Sequence, residues 1–585
     1  MSKRLKNYPD PSIVVNAYGA DALRMYLCNS PVVRAQELKF SEQGVKGVVR
    51  DMLQPWYSAL RMLDQSVARH EEKTGTSYRC SVATASKATN VLDVWVNGEL
   101  QKLIKTVHKE VGAYRLYTVL PTLVTFINDL NNWYIRLNRG RLKGSGGVED
   151  CTYALSTLYK VLLNMCKVLA PFTPFFTEYV FQHLKQFGAA EDFINDGDLN
   201  DEGDAANIDQ TASVHFYPMP MAESNVDEFV LLQVAYLQKI IECGRVARTR
   251  AGEGNDKRLR NNKLPIKQVV IVHSNPEARR AILEVQEYIK MELNCREVVV
   301  TGEGEEELNW VTYSAVPNMR AIGQRFKKER GKVLEGLGLD QRGNHIKGSA
   351  GIPHEELKRF QDKGEMTVGD GITLTTAEME VKREPKATDG KFHGVIVDKG
   401  RHADTNLVVF LSMIVEDDQI KDMLSREVLS CVNRLRKAAN LYSGDRVRVF
   451  YDANETKSEK DRSLTMDAIA ADLSVLSTKL SAPVQQSKER QSHMLALAEE
   501  KLDVFGYQMN VSITGESVSF VDDAKLSTLF GDASAPAVQR GIQALKCYVG
   551  DLPYASVSFD SPLAVTVDGV TVQLVPGTHF FAYSC

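Results

Sequence analysis

The sequence predicts a multidomain fold, a mainly α-helical bundle followed by α+β domains, and three observations predict it. From Val45 to Leu184 apolar residues recur at intervals of three and four, the helical period, most regularly through Leu116, Leu120, Leu123, Ile127, Leu130, Tyr134 and Leu137. Beyond Lys263 the pattern changes to short β-branched runs such as Val269-Val270-Ile271-Val272, interleaved with helical segments. A chain of 585 residues is also long enough to close several cores.

Composition narrows the class. With 43% hydrophobic and 25% charged residues the chain matches ordinary soluble globular proteins. A net charge of −4 argues against bulk capture of nucleic acid, so any such site must be a local basic patch. The nine cysteines form no C-x-x-C pair, which points to reduced thiols and gives no zinc or other metal site of the usual spacing. No apolar run reaches membrane-spanning length, and no secretory signal leads the chain.

Taken in order, Met1-Ser2-Lys3-Arg4 is a small cationic segment suited to a polyanion. Asp10-Pro11 is a helix start, a side-chain acceptor followed by proline, and Ile13, Ala17, Ala20, Leu23 and Leu27 continue at helical spacing. Val45, Val48, Val49, Met52, Trp56, Leu60 and Leu63 mark the next helix, with a kink expected near Gln54 because Pro55 follows. Polar residues from His70 to Ser86 read as a linker. Leu92 to Val111 starts another helix, and the Leu116 to Leu137 run makes a bundle seam.

Beside that seam Asn132, Arg136, Arg139 and Lys143 are spaced four, three and four, which places them on one helix face. Arg141 flanks the stripe, Trp133 and Tyr134 lie alongside, and Gly144, Gly146 and Gly147 end the helix. Two readings are open. The cations complement the helix dipole and are solvated, or they pair with RNA phosphates while aromatics stack on splayed bases. Trp133 itself reads as core.

Eight carboxylates without a Lys or Arg between Glu191 and Asp209 read as a solvated insertion. A helix from about Asp227 to Arg248 leads into the densest basic segment, Arg245, Arg248, Arg250, Lys257, Arg258, Arg260, Lys263 and Lys267, again either an RNA-backbone surface or a solvated loop. Further expectations are strands at 269–272 and 296–300, helices at 277–293, 319–337 and 419–439, and a strand at 446–451. Hairpin or sheet segments are expected near 367–372 and 407–415. At the end come a helix at 484–502 and hairpins at 508–521 and 563–575.

These residues also carry a family resemblance. MSKR followed by DPSIVV and YGADALRMYL resembles the signature loop and following helix of class I aminoacyl-tRNA synthetases, without the leading lysine of that loop. AYRLYTVLPTLVTFINDLNNWYIRLNRGRLKG and LAPFTPFFTEYVFQHL resemble the helical anticodon-binding domain of isoleucyl-tRNA synthetases of the cytosolic eukaryotic type, and LSREVLSCVNRLRKAANL resembles a helix of their C-terminal region. GRVARTR and KLPIKQVVIVH resemble the transition into that region, interrupted here by AGEGNDKRLRNN.

The resemblance implies the C-terminal part of an isoleucine–tRNA ligase, cytoplasmic, which activates isoleucine with ATP and Mg2+ and transfers it to isoleucine tRNA. It implies that Met1, Ser2, Lys3 and Arg4 form the ATP loop, with Lys3 the catalytic cation opposite the leaving pyrophosphate. It implies tRNA contacts at Asn132, Arg136, Arg139, Arg141, Lys143, Arg245, Arg248 and Arg250. No H-x-G-H setting occurs among the eleven histidines, so the catalytic Rossmann half is expected to be absent and the chain inactive alone. The expected domains are 1–85, the signature loop and connecting helices; 86–225, the anticodon-binding bundle with an acidic insertion at 189–212; and α+β domains at 226–335, 336–480 and 481–585. The last reads as a module for a protein partner, and no membrane partner is expected. A non-catalytic tRNA-binding or assembly protein, or a valine or leucine sibling ligase, are the alternatives.

Overall fold

The computed structural model describes residues 11–193, 213–223, 226–254, 256–302, 310–340, 352–368, 371–386, 391–396, 407–441, 445, 447–453, 473–480, 482–490, 496–505, 507–515, 517–520, 523–531, 535–550, 561–567 and 570–583. The chain divides into two units, residues 1–240 with 275–288, and residues 241–274 with 289–585. Among the described residues no helix is long and apolar enough to cross a membrane, and the described cysteines are free thiols.

The first unit is helical: α1 (Pro11–Tyr18), α2 (Ala20–Cys28), α3 (Glu42–Val48), α4 (Gln54–Thr74), α5 (Val91–Gly112), α6 (Val119–Asp129), α7 (Arg139–Leu142), α8 (Val148–Leu169) and α9 (Pro174–Phe187) are its main elements. Its core is built on α8, where Leu155, Leu158, Tyr159, Val161, Leu162, Met165, Cys166 and Leu169 are all fully buried. A helix apolar this far around its circumference must be covered by neighbours, here α4, α5, α7 and α9. The division between units falls within α10 (Glu228–Gly254).

Several expectations change here for physical reasons. The first helix is interrupted at Gly19, whose φ of 86° lies in the region that favours glycine. The buried face is also displaced from the expected stripe: Val14, Ala22 and Met25 are buried while Ile13 and Leu27 are exposed. The irregularity expected near Gln54 is a change of helix type: the five residues Val49–Leu53 before Pro55 form a wider π turn, in which the Gln54 N–H reaches the Val49 carbonyl. That turn takes up the missing donor and the clash of the proline ring with the preceding turn. The expected linker from His70 begins instead as helix, because α4 continues to Thr74 with His70 buried and ends at Gly75 with φ 69°. Part of the acidic insertion is docked: Asp192 accepts from the Val82 N–H at 3.1 Å and Phe193 is buried, whereas residues 194–212 lie outside the described residues.

The second unit is α+β. One four-stranded sheet has the order Cys295–Thr301, Ile266–Val272, Val408–Ser412 and Phe392–Ile396, the first pair parallel and the others antiparallel. Strands Val311–Pro317 and Met379–Pro385 pair antiparallel and help close a core running from Ala315 to Met379, across the 335/336 bound expected from the sequence. A second four-stranded sheet, Val484–Gln486, Val447–Ala453, Tyr507–Gly515 and Ala498–Val504, packs against the helix Asp417–Ala438. The helix expected at 484–502 is therefore two strands with a short 3-10 turn: Leu502 and Val504 face the core, and pairing with Tyr507–Gly515 overrides the helical preference of Ala498-Glu499-Glu500-Lys501. For the same reason the 508–521 hairpin is replaced. Tyr507–Gly515 returns on Ala498–Val504, and Ser517–Phe520 pairs with Phe580–Tyr583. The expected hairpin near 563–575 is present as Leu563–Val567 against Val570–Leu574.

Candidate nucleic-acid interface

The cationic stripe sits where the helical path is irregular. After α6 the residues Leu130–Ile135 form a π turn, and a turn at Asn138 precedes the four-residue α7. A π turn advances each residue by a smaller angle than an α turn, so spacing arithmetic across it does not define one face. Even so, Asn132, Arg136, Arg139 and Lys143 are all exposed, while Leu130, Tyr134, Ile135, Leu137 and Leu142 are buried between them. Gly144 and Gly147, at φ 79° and 97°, turn the chain from α7 into α8.

Arg141 departs from the expected role. Its Nη2 donates to Asp93 Oδ2 at 2.8 Å and lies 2.7 Å from Asp150 Oδ1; its Nη1 donates to Asp93 Oδ1 at 3.2 Å and Asn138 Oδ1 at 2.8 Å. The side chain is 12% exposed and that of Asp93 is fully buried. Burial opposes the guanidinium charge, but the hydrogen bonds to Asp150 and Asp93 outweigh it and hold the group above its ordinary value. The Tyr134 hydroxyl donates to Asp93 Oδ1 at 2.7 Å, and burial, followed by the charge of Asp93, keeps it a phenol. Arg141 thus ties α7 to α5 and α8, and what it displays is the pair Arg139 and Lys143. Partial burial, then the like charges of Arg139 and Arg69, push the Lys143 ammonium below its usual value.

The other basic segment, in the second unit, is largely neutralised. Arg248 is 5% exposed and its guanidinium donates to the carbonyls of Asn261 (2.7 Å), Leu264 (3.1 Å) and Leu293 (2.9 Å). Burial pushes it down to about 10. It faces inward with Ala247 and Ala251 and organises backbone. Arg245 pairs with Glu292 at 2.9 Å, Arg258 with Asp256, Arg260 with Glu253, Lys263 with Glu427 and Lys267 with Glu416. Arg250 is exposed. Asp256 and Glu253 lie within the segment, while Glu292, Glu416 and Glu427 come from far away in sequence, so the segment looks more cationic on paper than it is folded.

The ATP-loop candidates Met1, Ser2, Lys3 and Arg4 lie outside the described residues. What the sequence reading missed is the junction just after them. Asp21 Oδ2 accepts from the Phe176 N–H in the first turn of α9 at 2.7 Å, and Arg24 donates to the carbonyls of Phe172 (3.2 Å) and Pro171 (2.9 Å). Burial raises the Asp21 carboxyl, opposed by the amides of Phe176 and Phe175. The acid and base of YGADALR therefore clasp the turn of LAPFTPFF, one serving a helix N-terminus and the other its preceding carbonyls. Their i, i+3 spacing was the available signal. Among the described residues no group of three or more His, Cys, Asp or Glu side chains converges as a metal site.

Comparison with known proteins agrees with these two segments. The family "Anticodon-binding domain of tRNA ligase" matches residues 93–263, and "tRNA synthetases class I (I, L, M and V)" matches residues 1–39. The cytoplasmic isoleucine–tRNA ligase of Mus musculus is 36% identical over 454 residues, 77% of this chain and 33% of the relative. A probable cytoplasmic isoleucine–tRNA ligase of Dictyostelium discoideum is 35% identical over 462 residues, 78% and 38%. That of Saccharomyces cerevisiae is 35% identical over 454 residues, 77% and 38%. The chain spans about a third to two fifths of the length of these curated relatives.

Proposed function

Because the chain belongs to the isoleucyl-tRNA synthetase family, we propose that it supplies the signature loop and the tRNA-binding part of an isoleucine–tRNA ligase of the cytoplasm. The whole enzyme activates isoleucine with ATP and transfers it to the terminal ribose of isoleucine tRNA. In this reading Lys3, shaped by Met1, Ser2 and Arg4, provides the positioned cation that favours negative charge on the departing pyrophosphate. The bundle holds the tRNA through Asn132, Arg136, Arg139 and Lys143, with Arg250 and the partly engaged Arg245 as further contacts. Arg141 and Arg248 are positioning residues.

The observation that carries the RNA reading is the arrangement at α7. A four-residue helix has its one half-buried arginine committed to two carboxylates, while Arg139 and Lys143 on either side are exposed. Internal anchoring of the presenting element limits the entropy lost when its long side chains meet phosphates. The Asp21 and Arg24 clasp supports a second part of the reading, because it fixes the helix after the signature loop to the bundle that carries those cations.

The test is the salt dependence of isoleucine tRNA binding to the chain and to an Arg136→Ala/Arg139→Ala variant. Each phosphate contact releases counterions, so the variant is expected to bind more weakly and to lose about 0.7 to 0.9 of log–log slope per contact removed. An unchanged slope moves both arginines to the solvated reading.

A further inference from the structure

The exposed cations of α7 have neighbours on a different helix. Lys73, in the last turn of α4, donates from Nζ to the Gly144 carbonyl at 3.1 Å, which brings its ammonium to the loop that follows Lys143. Arg69 lies one turn earlier, at i and i+4 with Lys73, on the same face of α4. Its charge acts on Lys143, as does that of Arg139. All four side chains are exposed. Gly144 has φ 79°, so the carbonyl that receives Lys73 is set by a backbone conformation that favours glycine.

Several acids bordering this group are committed elsewhere. Glu71 accepts from Ser77 Oγ at 3.2 Å and the Tyr78 N–H at 2.8 Å. Asp150 is taken by Arg141, and Glu149 accepts from the Tyr153 hydroxyl at 3.1 Å. Four cations are therefore gathered with these carboxylates turned to other partners. Like charges held together cost free energy, and a bound anion relieves that cost. Arg69 and Lys73 belong to neither segment matched by the two families, which cover 1–39 and 93–263.

We propose that Arg69 and Lys73 of α4 join Arg139 and Lys143 in one composite site for a phosphodiester group of the tRNA backbone, built from two helices. The proposal rests on the tRNA-binding reading and extends it to a helix that nothing else assigns to RNA. A phosphate offers several acceptor oxygens, so an Arg fork and ammonium groups approaching from two helices can bind it together, where one helix face presents only one side.

The experiment measures isoleucine tRNA affinity between about 50 and 200 mM salt for wild type, Arg69→Ala, Lys143→Ala, Lys73→Ala, Lys73→Arg and the Arg69→Ala/Lys143→Ala pair. Arg69→Ala and Lys73→Ala are each expected to lower the affinity and reduce the slope by about 0.7 to 0.9, and Lys73→Arg to keep the slope. The double variant is expected to lose less than the sum of its single variants, because both side chains serve one group. Inorganic phosphate, compared with chloride at equal ionic strength, is expected to compete with tRNA on wild type more than on the Arg69→Ala/Lys143→Ala pair; equal competition on both places the phosphate effect elsewhere and overturns the composite site. Normal affinity and slope in Arg69→Ala and Lys73→Ala overturn the proposal while leaving the tRNA reading intact. Equal loss in Lys73→Arg and Lys73→Ala makes the role structural and overturns it as well. If wild type binds no tRNA, the underlying reading fails with it.

Discussion

Replacing Arg141 by Met separates the internal role found for this residue from the RNA contact that its sequence position suggested. The Asp93 carboxylate is fully buried and takes two hydrogen bonds from Arg141, at 2.8 and 3.2 Å, and one from Tyr134 at 2.7 Å. Removing the guanidinium leaves that charge with a phenol as its main donor. Breaking a buried pair on one side costs about 3–5 kcal/mol, because the remaining ion is uncompensated. The lost contact to Asp150, whose side chain is 34% exposed, adds at most about 1 kcal/mol. The assay is urea unfolding of the chain followed by tryptophan fluorescence. Trp56, Trp95 and Trp133 all lie in the helical unit and report its transition. Adding Asp93→Asn removes the orphaned charge and is expected to recover a large part of the loss. A loss below about 1 kcal/mol for Arg141→Met, or a large fall in tRNA affinity with unchanged stability, would refute the reasoning and return Arg141 to the RNA surface.

Two more predictions concern the same unit. Asp129 is raised from its ordinary value to about 6 by burial and, after that, by the charge of Glu99, with Gln238 Nε2 donating at 3.4 Å. Its folded value exceeds its unfolded value, so its favourable contribution is present below about pH 4 and is lost as pH rises through 6. Asp129→Asn should therefore be more stable than wild type at pH 8, by at most about 3 kcal/mol, with the gap closing towards pH 4. Thermal midpoints at several pH values check this, and parallel curves would contradict it. Gly188→Ala would place a Cβ against the Tyr159 hydroxyl and within 2.9 Å of the Phe193 ring, where Tyr159 is fully buried. Overpacking there is expected to destabilise by about 1–3 kcal/mol, and urea unfolding showing no change would mean that the pocket can yield.

The sequence was most informative where one local rule acts alone. The bundle seam follows from periodicity, and the exposure of Arg136, Arg139 and Lys143 from the apolar residues between them, although the π turn breaks the exact spacing. It misled where a distant partner decides. Arg141 and Arg248 look like their neighbours in one dimension, and only Asp93 or the carbonyls of Leu264 and Leu293 turn them inward. The residues 498–504 carry helix-forming side chains, yet the strand at 507–515 claims their backbone. Lys73 is hidden because polar residues from His70 onward imitate a linker, whereas the buried ring of His70 carries α4 one turn further. Gly19 was legible as a residue but not as a break, since the apolar spacing continues across it.

The measurement that tests the account most directly is equilibrium competition for the chain among purified isoleucine, valine and leucine tRNAs at one fixed salt concentration. Shared phosphate contacts serve all three equally, so any preference must come from recognition built into these domains. The account predicts that isoleucine tRNA displaces the other two at concentrations at least about tenfold lower, a difference of about 1.4 kcal/mol. Equal competition, or a preference for valine or leucine tRNA, would contradict it.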